Sequence, residues 1–190
     1  MNLPILLLAF FSNMFAPKDL DTQVEWTNES PMAAHEVIYY SPTKLVWDDF
    51  RGRPEKNSPA AAVTVSGFGY RANINSRGGK GQFTIKVYCY FNKDKSWVKD
   101  GRTIPYILKH EQNHFDISYI AASYFVDRLK ETTFNTSNYE YRLKEIYNEA
   151  CEVMHRLQDD YDGETKNGQV REVQKKWNAM VDDKIASVTK

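Results

Sequence analysis

An excess of charge of either sign is missing from this 190-residue sequence: Lys+Arg and Asp+Glu number 25 each, for a formal net charge of zero. With no basic surplus, nothing recommends a nucleic-acid or anionic-membrane surface. Cysteine is scarce. Cys89 and Cys151 stand alone with no C-x-x-C pair, so a thiolate zinc cluster and a redox dithiol are both unexpected. The two read as free, buried thiols, with one strand-to-helix disulfide as the alternative in an oxidising compartment. After residue 11 there is no apolar run long enough to span a bilayer, so stable membrane insertion is not expected. G-x-S-x-G is absent, Ser66 being followed by glycine without the rest of the pattern. A Gly-rich phosphate loop, internal repeats and low-complexity segments are also missing, which leaves nucleotide chemistry and solenoid folds without support.

Aromatic residues, by contrast, are plentiful at 14%, as expected of a packed core. The length fits one domain. Residues 3–11 form a nearly unbroken apolar run, followed by Ser12, Asn13 and then Ala16-Pro17. That length suits the core of a secretory signal and is too short to cross a bilayer. Residues 1–16 therefore read as a signal peptide, which makes the mature chain secreted or periplasmic. No Lys or Arg precedes the run, and Met14 stands where a small residue favours cleavage, so a buried N-terminal strand is the alternative. Residues 17–42 read as a lead-in with one strand around 36–40, and residues 43–190 as the single domain.

Within that domain Trp47 and Phe50 pin a bend at 45–54. Two β-rich stretches follow, 62–74 and 82–91. In the second, Phe83, Ile85, Val87, Cys89 and Phe91 alternate with more polar neighbours, the period of a half-buried strand. The Gly-rich stretch 75–81 reads as the hairpin loop between them. Three helices are expected next. The first is capped by Thr103, with Ile104 and Pro105 in its first turn, and runs to about Lys130; Leu108, Phe115, Ala121, Ala122, Phe125 and Leu129 form its apolar face. The second spans 138–159 and the third 169–188, with a loop at Asp162-Gly163 and Asn167-Gly168 between them. The fold class is α+β: an antiparallel sheet, then three helices.

The first helix carries the chemistry, in His110-Glu111-Gln112-Asn113-His114. Residues four apart share a helix face, so both imidazoles can reach one ion. An H-E-x-x-H helix is a zinc pattern, with Glu111 as general base toward a water polarised by that ion. Two surface histidines sharing a face is the bland alternative. A catalytic zinc takes three protein ligands, and the extended form of the motif is absent, since Ile120 stands six residues beyond His114. Three side chains compete for the third place. His155 falls off its helix's apolar stripe and reads as solvated. Asp116 suits support of an imidazole from behind. Asp162 sits in the expected loop, where a carboxylate is more often solvated than ligating.

Four stretches carry a resemblance: Trp47-Asp48-Asp49-Phe50-Arg51-Gly52-Arg53-Pro54; Ser96-Trp97-Val98; the run from Leu108 to Ile117; and Tyr161-Asp162-x-x-Thr165 leading to Gln174-x-x-Trp177. Together they make the chain resemble a family of exported bacterial proteins of unknown function described as zinc-dependent proteases. The resemblance implies a zincin-like metallopeptidase with a peptide or protein substrate, Zn2+ bound by His110 and His114, and Glu111 as base. In that family's pattern, Y-D-x-x-T-x-H-G, the histidine position is occupied here by Asn167. If the histidine is the usual ligand, the site is weakened. Asp162, the oxygen donor that the motif retains, is taken as the third ligand. Tyr161 is a candidate donor to a developing oxyanion, although a core tyrosine is the plainer reading.

Two rivals stand beside the hydrolase. One is a metal-binding or cell-envelope interaction module on the same scaffold, favoured by Asn167 and disfavoured by Glu111. The other is a thiol site from Cys151 and His155 at helical spacing, with no third group to orient it. In the leading reading the strand at 82–91 supplies a sheet edge for an extended peptide.

Overall fold

The computed structural model describes residues 18–41, 43–77 and 80–189. Residues 1–16, expected as a signal peptide, lie outside the described residues. The chain is α+β, a sheet region followed by three helices. Strand β5 (Lys80–Asn92) is the axis of the sheet. β4 (Ser66–Arg77) runs antiparallel along its whole length, from Ser66 opposite Phe91 to Arg77 opposite Lys80. Along its other side lie β1 (Asp21–Trp26) and β2 (Val37–Tyr39), end to end.

Two expectations change here. The sheet is mixed rather than antiparallel, because β1 pairs parallel with residues 82–87 of β5. The segment expected as a lead-in supplies both β1 and β2, so it belongs to the sheet. β1 (DTQVEW) has too short an alternation to stand out locally, and it is held by β5, sixty residues away. The expected first strand divides into β3 (Ala62–Val63), which pairs with β6 (Trp97–Val98), and β4. The bend at Trp47–Asp49 is a single 3₁₀ turn, and its Phe50 ring packs 5.1 Å from Phe91.

β5 alternates as the sequence suggests. Phe83, Ile85, Val87, Cys89 and Phe91 are all buried on the face turned to the helices. Tyr88 and Tyr90 lie on the outer face. A Cβ at Gly69 would come within 2.5 Å of the Tyr88 hydroxyl, so the glycine is what lets that ring lie across β4. Both cysteines are free, Cys89 buried and Cys151 half-buried.

Helix α1 (Pro105–Lys130) crosses the inner face of the sheet. Its cap is Ile104, with no side-chain bond, rather than Thr103; Pro105 at the first helical position needs no N–H partner. Phe115, Ala121, Ala122, Phe125 and Leu129 meet the sheet, and the Phe125 ring contacts Phe68, Tyr70 and Tyr147. Ile117 and Ile120 point away from the sheet, into a second cluster with Tyr161, Trp177 and Val181 of α2 (Tyr139–Thr165) and α3 (Arg171–Val188). α1 is thus covered on both sides, and even its polar residues from His110 to Asn113 are buried. Among the described residues, no helix is long and apolar enough to cross a membrane.

Burying so many polar groups requires a partner for each. Asp116 is fully buried and accepts from the Tyr40 hydroxyl at 2.7 Å, Gln112 Nε2 at 2.9 Å and Lys44 Nζ at 3.3 Å. Gln112 Oε1 in turn accepts from the Leu45 N–H at 2.8 Å. This network ties α1 to the segment between β2 and the 3₁₀ turn. The expectation that Asp116 supports an imidazole is therefore corrected: its bonds hold a tyrosine, a lysine and a glutamine. Asp116→Ala, which strands Tyr40 and Gln112, should cost about 2–3 kcal/mol in a denaturant titration. Because Asp116 contacts neither histidine, metal affinity should be unchanged; a metal-binding loss with normal stability would refute this assignment.

Candidate metal centre

His110 and His114 project from adjacent turns of α1 toward α2. Against them stands Asp162, which lies in the last turn of α2 rather than in a loop. The helix runs through Gly163, whose missing Cβ faces open space, and stops at Lys166 and Asn167, both left-handed (φ 50° and 52°). Glycine there costs the helix about 1 kcal/mol. Burial of Tyr161 and Thr165 one residue to either side of the Asp162–Glu164 turn outweighs it, which is why the expected stop at 159 is passed.

The three side chains meet closely. His110 Nε2, His114 Nε2 and Asp162 Oδ1 form an equilateral triangle 3.2 Å on each side. Ligand atoms about 2.0–2.1 Å from a tetrahedral zinc stand about 3.3 Å apart, so the triangle has the dimensions of three zinc ligands. Among the described residues it is one of two His and carboxylate groupings compact enough to hold an ion. The other, His35, Glu36 and Asp94, is on the surface and already contains Arg51, 2.8 Å from Asp94.

Two glutamines determine which ring nitrogens face inward. Gln158 donates its Nε2 to the His114 carbonyl at 2.8 Å, so its Oε1 is the atom turned to His114 Nδ1, 2.5 Å away. Gln174 donates Nε2 to Tyr161 Oη at 2.6 Å and to Asn178 Oδ1 at 2.7 Å, leaving Oε1 to face His110 Nδ1 at 2.8 Å. A carbonyl oxygen accepts only, so each Nδ1 carries its proton, and each Nε2 presents a lone pair to the triangle. This accounts for Asp162 Oδ1, which is buried with no hydrogen-bond donor among the described residues. Three lone pairs converge on a point that calls for a cation.

The electrostatics of the site point the same way. Burial alone would lower the His114 pKa, but the bond that its protonated ring could donate to Asp162 and the charges of Glu111 and Asp162 outweigh this and raise it above the ordinary 6.5. Burial would raise the Asp162 carboxyl, yet the two imidazoles hold it well below the usual carboxylate range. A proton on Nε2 and a metal ion are competitors for one place.

Glu111 is buried beside this triangle. Its Oε2 has no partner among the described residues, and its main-chain carbonyl accepts from Thr64 Oγ1 at 3.2 Å. It faces a cleft of about 760 Å3 walled by β3 and its flanks (59–66), the first turn of α1, and α2 around Met154 and Gln158. Asn167 lines the rim of that cleft and donates its N–H to the Asp162 carbonyl at 2.8 Å. Next to it Gly168, at φ 76°, packs so closely that a Cβ would lie 3.3 Å from His110 Nδ1. The Gly168 carbonyl is held by the Tyr106 hydroxyl at 2.6 Å.

Other sequence candidates are placed elsewhere. Tyr161 is fully buried, stacked 4.7 Å from the His110 ring, with its hydroxyl engaged by Gln174 and Asn113; it positions His110 and is not free to meet an oxyanion. His155 is exposed and lines the cleft outside the triangle. Burial raises the Cys151 thiol, the opposite of an activated nucleophile. Gln158 and Asn178 were not singled out by sequence reasoning, and Gln174 was noted without a role. On a helix that includes Asp162, Gln158 falls on the same face one turn earlier, and that spacing is the signal that marks it.

Residues 92–170 match the sequence pattern of a family described as "Bacterial protein of unknown function (DUF922)". No curated protein and no solved structure matches the chain. The matched stretch includes His110, Glu111, His114, Gln158 and Asp162.

The purified protein should bind one equivalent of zinc in a calorimetric titration, with His114→Ala and Asp162→Ala abolishing or severely weakening it. Gln158→Leu should lower affinity about 10–100-fold by freeing the imidazole's orientation. Affinity should fall with pH, beginning above 6.5 because the His114 proton is held more tightly than usual. Undiminished affinity in Asp162→Ala would remove that residue from the ligand set.

Proposed function

We propose that this chain is a zinc-dependent hydrolase acting on peptide bonds, with Glu111 as general base, and that it works outside the cytoplasm. The observation that carries the reading is the triangle of inward-facing lone pairs with a buried, unpartnered carboxylate beside it, all at the floor of an open cleft. His110, His114 and Asp162 would hold the ion. Zinc bound there supplies Lewis-acid charge, which acidifies an attacking water and polarises the scissile carbonyl.

The chain's own groups do the rest. Glu111 Oε2 accepts a proton as the water oxygen bonds to the carbonyl carbon. It returns that proton to the departing amine as the C–N bond breaks, so the carboxylate is regenerated. Gln158 and Gln174 keep both rings in the tautomer the ion requires, and Tyr161 holds the His110 plane by stacking. Under this reading the fold is zincin-like, with the motif helix covered by a sheet on one side and helices on the other.

A peptide suits the cleft better than a compact substrate because one wall is a strand. Lys99 N–H bonds the Ala61 carbonyl, and Val65 uses both main-chain groups toward the β5–β6 side. Main-chain bonds of an antiparallel strand alternate in direction, so Ala62 and Thr64 turn theirs the other way. The edge for an added strand is then β3; the strand at 82–91, expected to serve, is the central one and is paired on both sides. A metal-binding module with weakened catalysis is the second reading, and Asn167 at the resembled family's histidine position is the observation that favours it.

Glu111→Gln should retain zinc and lower hydrolysis of casein or a peptide library by about 10²–10⁴. Zinc-loaded native protein that cleaves nothing would shift the assignment to the binding module, and full activity in Glu111→Gln would exclude this mechanism.

A further inference from the structure

Apart from the triangle and Glu111, the charged or protonatable nitrogen side chains on the cleft wall are Arg102 and His155, and no further carboxylate lines it. Arg102 precedes α1, next to Ile104 and Tyr106; His155 projects from α2. In a helix, positions 155 and 162 differ by two turns and by only about 20° in direction, so His155 lies on the Asp162 side of α2, about 10 Å along the axis. That distance excludes it from the metal and sets it some three residues along an extended chain.

Both groups are exposed, and neither has a hydrogen-bond or ion-pair partner for its side chain among the described residues. Three other basic residues near the site are engaged: Lys109 pairs with Asp182 at 2.7 Å, Arg171 sits over the Tyr106 ring at 4.5 Å, and Lys99 bonds the Ser58 carbonyl. The rest of the cleft lining is mainly small or apolar, including Ala60, Ala61, Ala62 and Met154. A neutral peptide would leave the guanidinium without a counterpart. A basic one would face two like-charged or donor groups, with no carboxylate beyond Asp162 and Glu111 to receive it.

We propose that Arg102 and His155 select peptides bearing carboxylates on either side of the cleaved bond. This rests on the hydrolase reading for the position of the bond. Arg102 offers a planar fork that matches a carboxylate in two parallel hydrogen bonds, and His155 offers a single N–H. The carboxylate is an acidic side chain or the free end of the peptide; the chemistry is shared, and the two sources are separable by experiment.

The test uses the zinc-loaded Glu111→Gln chain, so that binding is read without turnover. Three short peptides of otherwise identical sequence are titrated by calorimetry at low ionic strength: a capped one carrying Glu, a capped one carrying Gln, and the Gln peptide with a free C-terminal carboxylate. The Glu peptide should bind about three- to fivefold more tightly than its Gln counterpart, the scale of a solvent-exposed ion pair. The preference should shrink as salt is added. It should vanish in Arg102→Gln and diminish in His155→Gln, both surface changes that leave zinc content intact. A gain confined to the free-carboxylate peptide would assign the site to the chain end. Equal binding of all three, or a preference that survives the double substitution, overturns the proposal and leaves the hydrolase reading standing. Binding of none of them overturns both. A Glu preference in a native protein that hydrolyses no peptide overturns the hydrolase reading alone.

Discussion

Three lone pairs held 3.2 Å apart repel one another, and the bonds behind the two imidazoles keep the rings turned inward against that repulsion. Each inward-facing Nε2 is a consequence of an outward-facing Nδ1–H, and each Nδ1–H is a consequence of a glutamine whose amide is already committed elsewhere. The constraint passes from Asn178 and Tyr161 through Gln174 to His110, and from the His114 main chain through Gln158 back to the His114 ring. A cation at the centre relieves what the network imposes. The depressed Asp162 carboxyl and the raised His114 imidazole are the same demand, expressed in protons.

That network exists because α1 is enclosed. A helix whose middle carries His, Glu, Gln, Asn and Asp would sit at the surface if propensity and polarity alone decided. Here the sheet covers one side and α2 with α3 the other, so every polar group in the span must find a partner or bear the cost of lacking one. Gln112 and Asp116 are satisfied by the 40–45 segment, and the Asn113 Nδ2 by Tyr161 and Asn178. Glu111 Oε2 and Asp162 Oδ1 are left without donors, and both belong to the cleft floor. Of the four buried side-chain atoms without a partner among the described residues, these two carboxylate oxygens face the cleft, whereas Asn113 Oδ1 and Arg128 Nε lie away from it.

The pentapeptide was legible because its spacing converts directly to geometry: residues four apart on a long, unbroken helix lie above one another. The three helices and the alternating β5 were legible for the same reason of period. What local pattern concealed were the contacts across long separations. β1 is a modest six-residue stretch until β5 pairs with it. The end of α2 is not legible locally, because Gly163 weakens a helix there, whereas the burial of Tyr161 against α1 and α3, and of Thr165, extends it. Asp116 points to another helix face than the histidines, as its spacing implies, but its partners there are Tyr40, Lys44 and Gln112 rather than an imidazole, and the first two come from a segment about seventy residues away in sequence.

By itself the sequence determined two histidines and a glutamate on one helix, the order of sheet before helices, and a chain poor in thiols and balanced in charge. These are properties of spacing and composition, which no distant residue can alter. Only the tertiary structure decided that Asp162 would stand beside the histidines, that two glutamines would orient the rings, and that β3 rather than β5 would border the cleft. Those outcomes depend on how α2 lies across α1 and on which strands pair. Such arrangements are set by burial summed over the whole core, and no single segment carries that sum.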